Sequence, residues 1–349
     1  MLFRSSALIA LLLSAQILVA ADSSLPEYVP PNTKILIGIE VRGILDSDWG
    51  KQLVEQVKSA AGSDLLKQAA ITGFDPLKDV DEVWIAGSSL DNKGPTLAIL
   101  RGRFDKSRLP KAIGRFREVP LIPMDGNRRQ LMALVDSSTI LAGDRYVVEL
   151  AIERHGSRFV PDAHFMAAAA ELRKRYWIWA EGSHLDGLAA PKGAPQGIGA
   201  MDSFEFGLAL NHNLEMAAQL QMQSAADAQK LLGTLAMLQM MASQQKGESQ
   251  ARIETHVTGK TVDVSLTVPE SELKKAWEQQ RAAIAQNLSQ LPQQIAAVRA
   301  GGLNAFTAAR PAALATPQNQ ARRIPASKEG KIVSDPDGVT IECTLPGRN

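Results

Sequence analysis

Apolar and polar residues alternate along several short segments of the chain, a pattern that predicts β-strands. In residues 34–45, for example, Ile35, Ile37 and Ile39 would lie on one face of a strand. Further pairs of alternating segments, separated by short loops at residues 89–95 and 211–213, predict β-hairpins. Between the strands, apolar residues recur at helical spacing, as in 145–154 and 224–242, which predicts amphipathic helices.

The order strand, helix, hairpin, helix, hairpin, helix can be followed twice, in residues 22–158 and again in 159–287. We therefore predict an α+β fold with two tandem two-layer sandwich halves, each an antiparallel sheet packed with helices, related by internal duplication. The hairpins of the second half have an apolar face and a polar face that includes Glu205, Gln219 and Asp263. Such a sheet buries one side and leaves the other in solvent.

The N-terminal segment 1–21 is interpreted as a signal peptide. Arg4 precedes an apolar stretch of signal-peptide length, and small residues at 19–21 form a cleavage site, which predicts processing after Ala21. An uncleaved membrane anchor is the alternative. The signal peptide predicts an exported protein, periplasmic or extracellular, that contacts a membrane only if this segment is retained.

The C-terminal region differs in composition from the two halves. Residues 288–327 are rich in Ala, Gln and Pro and predict a flexible linker. Residues 328–349 predict a β-hairpin, with Asp337-Gly338 as its turn signal. An isolated hairpin is only marginally stable. It would therefore either dock on an open sheet edge of the same chain or add a strand to a partner, and we favour docking on the same chain.

The charges nearly balance, with 38 Lys and Arg against 37 Asp and Glu, which argues against a nucleic-acid-binding protein. The single cysteine, Cys343, excludes an intrachain disulfide.

Despite the balanced net charge, basic residues cluster in residues 101–129. A helix predicted at 105–116 and the residue after it carry the candidate binding residues of this segment. The simple interpretation is a solvated helix face. The alternative is a docking surface for an anionic envelope component, for an envelope protein or for the acidic segment that precedes it in the chain. These candidates are Arg108, Lys111, Arg115 and Arg117.

Candidate chemistry is sparse. The acidic segment 73–82, Gly-Phe-Asp-Pro-Leu-Lys-Asp-Val-Asp-Glu, lacks the ligand spacing of a calcium loop and predicts a turn that leads into a strand. The five histidines are scattered without metal-site spacing. We therefore predict no metal, no cofactor and no catalytic residues.

Four methionines lie at or near the predicted helix 224–242, namely Met222, Met237, Met240 and Met241. Core filling is the simple interpretation, because methionine adapts to irregular gaps. The alternative is a soft pocket for an apolar ligand.

Several segments, including GFDPLKDVDEVWIA, LAILRGRFD, STILAGDRYVVELAIER and VTGKTVDVSLTVPESEL, resemble a family of uncharacterised exported bacterial proteins. The resemblance spans most of residues 30–285, and it implies an envelope or secreted location without any assigned activity. From these observations we expect a non-enzymatic exported protein with a binding or scaffold role in the cell envelope or outside the cell. A carrier of an apolar ligand in the second half is the alternative, and an unrecognised hydrolase is a third hypothesis.

Overall fold

The fold is α+β and is built on a large antiparallel sheet. The computed structural model describes residues 25–52, 54–55, 58, 72–89, 95–124, 128–155, 162–185, 198–244, 251–279, 332–335 and 338–342. Within these residues the strands form one 14-stranded sheet in the order β13-β14-β11-β12-β10-β9-β8-β1-β2-β3-β7-β6-β5-β4. The sheet is continuous across residue 158, the predicted boundary between the halves, because β1 pairs with both β2 and β8.

The strands are β1 (Ile35–Glu40), β2 (Val80–Gly87), β3 (Thr96–Gly102), β4 (Gly114–Phe116), β5 (Val119–Pro123), β6 (Gln130–Leu134), β7 (Thr139–Asp144), β8 (Ile178–Gly182), β9 (Met201–Leu210), β10 (Leu214–Met222), β11 (Arg252–Thr258), β12 (Thr261–Val268), β13 (Ile332–Asp335) and β14 (Gly338–Glu342). The helices are α1 (Leu25–Tyr28), α2 (Val41–Asp46), α3 (Pro76–Asp79), α4 (Arg145–Arg154), α5 (Ala163–Arg175) and α6 (Ala225–Gln244). Residues 48–52 and 270–279 are also helical, and a short 3-10 turn covers Ile198–Ala200.

Helices cover the two faces of the sheet differently. On one face, α1, α4 and α5 pack on a core that extends from β5 to β9 and contains Trp84 and Trp179, whose rings meet edge to face at 5.5 Å. On the opposite face, α6 packs over the second half, around Met222 and Leu231. A third core around Phe74 and Phe104 covers the first half on that same face. The first half is therefore buried on both sides.

The second half leaves part of one face open, as its sequence pattern predicts. Glu205, Gln219 and Asp263 are direct cross-strand neighbours, so their side chains leave the sheet on the same side. This side is the one that α5 covers over β8 and β9. Beyond α5, on β10, β12 and β11, the polar residues of this face remain half-buried or exposed.

The predicted helix at 105–116 is wrong. Residues 106–109 form a turn, and the chain then enters the short strand β4, which pairs with β5. Pro110 and Gly114 weaken a helix here, and the apolar residues that suggested one pack on two different faces of the sheet. Leu109 packs on the core around Phe104, whereas Phe116 packs on the core around Trp84 and Trp179. A single helix could not reach both faces.

The C-terminal strands extend the sheet at its second-half edge. β13 and β14 form a hairpin, and β14 pairs antiparallel with β11 through Thr255↔Ile341 and neighbouring pairs. The predicted signal peptide 1–21 and linker 288–327 lie outside the described residues. In the part of the chain that the model describes, no helix combines the length and the hydropathy needed to cross a membrane.

Candidate functional site

The acidic segment 73–82 is a structural turn, as predicted, and its side chains have separate partners. Asp75 caps α3 by accepting a hydrogen bond from the Leu77 N–H at 3.0 Å, and the Asp79 carboxylate accepts one from the Asp75 N–H at 2.7 Å. Asp81 pairs with Arg42 at 2.9 Å. Among the described residues, no group of three or more His, Cys, Asp or Glu side chains could hold a metal ion.

Glu82, the last acidic residue of that segment, lies in the core and is 2% exposed. Its carboxylate accepts hydrogen bonds from the Trp84 Nε1 at 2.6 Å and from Arg173 Nε and Nη2 at 2.7 and 2.9 Å. Burial and the Glu82 carboxylate raise the pKa of the neighbouring Glu40, while Arg173 and Arg101 oppose that shift. This cluster joins α5 to the first half of the sheet, so we assign it a structural role.

The predicted basic binding residues lie around β4 rather than on a helix, and most of their charge is paired. Arg108 forms an ion pair with Asp79 at 3.3 Å, and Arg117 pairs with Glu153 of α4. The Arg115 guanidinium donates to the Glu118 carbonyl at 2.7 Å. Lys111 is exposed. Arg117 thus fastens the β4–β5 hairpin to α4, Arg108 fastens the preceding turn to α3, and Arg115 is used within the hairpin. This pairing weakens the case for a dedicated anion-binding surface.

The three predicted methionines whose side chains the structure describes do not line one enclosed pocket. Met222 is fully buried in the core under α6, whereas Met237 and Met240 are 57% and 59% exposed on the outer side of that helix. Met241 lies in α6, and its side chain is outside the described part. This placement favours core filling for Met222 and a solvent-facing surface for Met237 and Met240.

A cleft of about 370 Å³ opens on the uncovered sheet face, beside the C-terminal end of α5. One wall is formed by Leu172, Arg175 and Tyr176, and the floor by side chains of β9, β10, β12 and β11. Tyr176 is 9% exposed, and its ring rests on Gly207, where a Cβ atom would come within 2.1 Å of the ring. Glycine at this position therefore lets the tyrosine lie flat against β9. The polar floor residues are Glu205, Gln219, Glu254, His256, Asp263 and Ser265.

Most polar groups of the floor already have partners. Gln219 donates to the Asp263 carboxylate at 2.8 Å, and the His256 Nε2 lies 2.9 Å from the Thr258 hydroxyl. Glu254 pairs with Arg252 at 2.6 Å. These contacts fix the floor and reduce its net charge.

Glu205 and Arg175 are the charged cleft residues with the fewest contacts. Within the described residues, the Glu205 carboxylate makes no hydrogen bond or ion pair. In the same part of the chain, the Arg175 guanidinium makes no ion pair and lies 5.1 Å from the centre of the Tyr176 ring. Among the described residues, the cleft therefore offers one negative and one positive group without an ion-pair partner, together with an aromatic ring.

Glu181 lies directly beside Glu205 on the neighbouring strand and points to the same face. Glu181 is 5% exposed, and its Oε2 has no hydrogen-bond partner among the described residues. Burial, reinforced by the Glu205 carboxylate, raises the pKa of Glu181 to about 8. At neutral pH this carboxyl is mostly neutral, and an unpaired buried acceptor is unfavourable unless a further group reaches it.

Sequence reasoning found the floor of this cleft as part of a polar sheet face but missed its wall. Arg175 and Tyr176 appear in the sequence as the end of a basic helix and the start of a strand. No local pattern indicates that they reach β10 and β12. Glu181, an acidic residue in the strongly apolar segment Tyr-Trp-Ile-Trp-Ala-Glu-Gly, is the one signal that could have marked the site.

Comparison with known proteins defines no family for this chain. No family model matches the sequence, and no curated protein matches it. Crystal forms III and I of TP0453 are similar to it, at 10% and 11% sequence identity and TM-scores of 0.44 and 0.41. They cover 71% and 75% of this chain and 95% and 96% of theirs. A likeness this distant carries no conclusion about function, so the class that can be stated is an α+β protein on one long antiparallel sheet.

Proposed function

We propose that this chain is a non-enzymatic exported protein with a binding role, and that the cleft beside α5 is its binding surface. The observation that carries the proposal is the combination of a concavity, an aromatic wall and two charged groups, Glu205 of the sheet and Arg175 of α5, that form no ion pair within the described residues. A volume of about 370 Å³ lies within the range of small-ligand pockets, roughly 300–1,000 Å³. Apart from Glu205, the charged floor residues already have partners, which supports binding rather than acid–base catalysis.

The test is a substitution that fills the cleft. Ala217 lies on its floor, so Ala217→Trp places a large ring where the ligand would lie. Glu215→Trp is the matched control, because Glu215 is two residues away on the same strand and face and is exposed outside the cleft. Protein purified from the producing organism is examined by native mass spectrometry and by pull-down from an envelope fraction.

We expect a retained ligand or partner with the native chain and the Glu215→Trp control, and its loss with Ala217→Trp. Because Ala217 also contacts the core, thermal unfolding must show that the variant is folded. Equal recovery by all three proteins would refute the cleft as the binding surface. A charge reversal at the exposed Lys111 in the same assay tests whether the basic segment holds an anionic envelope component.

Export is proposed from the N-terminal sequence, and the folded body begins shortly after that segment, at α1. Leu25 and Tyr28 are buried against α4, so the chain is fixed to the body a few residues after the proposed cleavage at Ala21. Cell fractionation and the intact mass of the recovered protein test this. A mass that retains residues 1–21 would favour the anchor.

Internal duplication is proposed from the sheet order. Outward from the centre, the first half runs β1-β2-β3-β7-β6 and the second half runs β8-β9-β10-β12-β11, so the connections correspond strand by strand. The central strands β1 and β8 are antiparallel, as a two-fold axis between them requires. A helix precedes each of them, α1 and α5, on the same face of the sheet. Each half would thus be a helix-packed sandwich unit sharing a common sheet.

An apolar-ligand carrier is the second candidate function, supported by the exposed Met237 and Met240 on α6. Native mass spectrometry distinguishes the two candidate functions. An apolar ligand bound at α6 would still be retained by the Ala217→Trp variant, because that substitution fills only the cleft beside α5.

A further inference from the structure

We propose that β11 is a strand-acceptor edge capped by the C-terminal hairpin, and that a partner protein displaces this cap by adding an extended strand with a basic residue opposite Glu254. The cap is the hairpin formed by β13 and β14, and its inner strand, β14, pairs with β11. This edge is a second surface, and neither its occupant nor its test depends on the ligand of the cleft.

The two ends of the sheet are completed by hairpins in the same spatial order, but the hairpins are connected differently. Outside β6 lie β5 and then β4, and outside β11 lie β14 and then β13. β5 leads into β6 across residues 124–129, whereas β13 follows residues 280–331, which come after the helix at 270–279. A short connection therefore keeps the first hairpin beside β6, while the second hairpin can leave β11 without unfolding the strands before it.

β11 has the features of an edge that accepts another strand. It is seven residues long, and its register with β12 is continuous from Arg252 to Thr258. The edge strand at the other end of the sheet, β4, has three residues and is followed by positive φ angles at Arg117 and Glu118. Long regular edges favour the addition of a strand, whereas short and twisted ones resist it.

The cap matches β11 on the side of the sheet that α6 covers. Val339 of β14 stands opposite Val257, which is 3% exposed in the core under α6. Ile341 stands opposite Thr255, which is 5% exposed. Any strand that replaces β14 therefore needs apolar residues at these two alternating positions, because cross-strand pairs stabilise a sheet through such contacts.

The next position of that register is mismatched, since Glu342 of the cap stands opposite Glu254. Like charges directly opposite each other weaken an antiparallel pair. Arg252 pairs with Glu254 at 2.6 Å, which lessens the repulsion, but a basic residue opposite Glu254 would replace repulsion with attraction. The cap is therefore a weaker occupant than a strand with the same apolar alternation and a Lys or Arg in place of Glu342.

The long connection allows such a strand to compete. A flexible linker of about 50 residues, as the composition of 288–327 predicts, gives the hairpin an effective concentration at β11 on the order of a millimolar. A strand that binds about tenfold more tightly than the cap would replace it at roughly a tenth of that concentration. The partner is thus a protein segment with a Kd at the free edge well below that of the cap.

Displacement is measured on the full chain with two synthetic peptides of residues 331–346. Both carry Cys343→Ser, and one also carries Glu342→Lys. Fluorescence polarisation of the labelled peptides gives their affinity, and hydrogen–deuterium exchange shows which residues of the chain lose protection. We expect the lysine peptide to bind about tenfold more tightly than the glutamate peptide. At saturation it should expose residues 332–342 of the chain to exchange while residues 252–258 stay protected.

Glu254→Gln in the chain should remove most of the difference between the two peptides. Glu215→Gln is the matched control, because it deletes an exposed carboxylate from the same side of the sheet on β10 and should keep the difference. Failure of both peptides to bind, equal binding by the native chain, or binding without exposure of residues 332–342 overturns the inference. A dimer of the chain in sedimentation that the peptides dissociate would make a second copy the occupant and overturn the partner.

Discussion

Replacing Arg173 with methionine tests whether the buried ion pair holds α5 onto the first half of the sheet. Glu82 is 2% exposed, and within the described residues Arg173 supplies two of the three hydrogen bonds to its carboxylate. Methionine keeps most of the side-chain volume but removes the charge. The Glu82 carboxylate would then be buried with only the Trp84 N–H, at 2.6 Å, as a donor.

The magnitude follows from the burial of the two partners. Removing one member of a fully buried ion pair destabilises a protein by about 3–5 kcal/mol. The Arg173 side chain is 26% exposed, so water can partly replace it and the lower end, about 3 kcal/mol, is expected. For a domain of this size each kcal/mol lowers the Tm by roughly 2–4 °C, which predicts a fall of about 10 °C.

The assay is urea unfolding followed by tryptophan fluorescence, with thermal unfolding alongside. Lys174→Met is the matched control, because the next residue of α5 forms only an exposed pair with Glu171 and should change stability by less than about 0.5 kcal/mol. The double variant Arg173→Met, Glu82→Leu removes both charges and should be more stable than Arg173→Met alone by at least about 1 kcal/mol. A double variant no more stable than the single one would refute the argument that an unpaired buried charge causes the loss.

Three further changes test other features of the structure. Because the folded pKa of Glu181, about 8, lies above its unfolded value, the folded state holds an extra proton between about pH 4.5 and 8. Stability should therefore fall as pH rises through that window, by up to about 1.4 kcal/mol per unit, and Glu181→Gln should flatten the curve measured by urea unfolding. Glu118 has a φ of 67°, so Glu118→Gly should raise stability by about 1 kcal/mol, whereas no gain in Tm would argue against strain in the β4–β5 turn. Gly38→Ala would place a Cβ 2.1 Å from the Trp179 ring and should destabilise by about 1–3 kcal/mol or more, while Gly87→Ala, with open space around it, should not.

The sequence predicts local elements well where the pattern has one structural solution. Residues 145–154 show a helical stripe between a hairpin and a glycine, and α4 spans those residues. The turn at Gly259-Lys260 lies between two alternating segments, and Gly259 adopts the positive φ of 59° that glycine favours. The polar face of the second half could also be predicted, because a strand with period-two alternation has only two faces.

The pattern at 105–116 has more than one solution, which is why the helix predicted there is wrong. Leu109 and Phe116 have helical spacing, but each finds a different core once β5 pairs with β4. Tertiary contacts outweigh a weak local preference in a segment that also contains proline and glycine.

Outside residues 105–116, the local sequence pattern indicated where many of the strands, turns and helices lie, and which strand faces are polar. The tertiary structure decided which strands are neighbours, so that β1 meets β8 and α5 reaches across to Glu82. It also decided that Arg175 and Tyr176, at the end of α5, and Glu205, on β9, line the same cleft. The physical reason is that alternation specifies a face but not a partner, since many strands could satisfy the same backbone hydrogen bonds. Only simultaneous packing of residues far apart in the chain selects one arrangement.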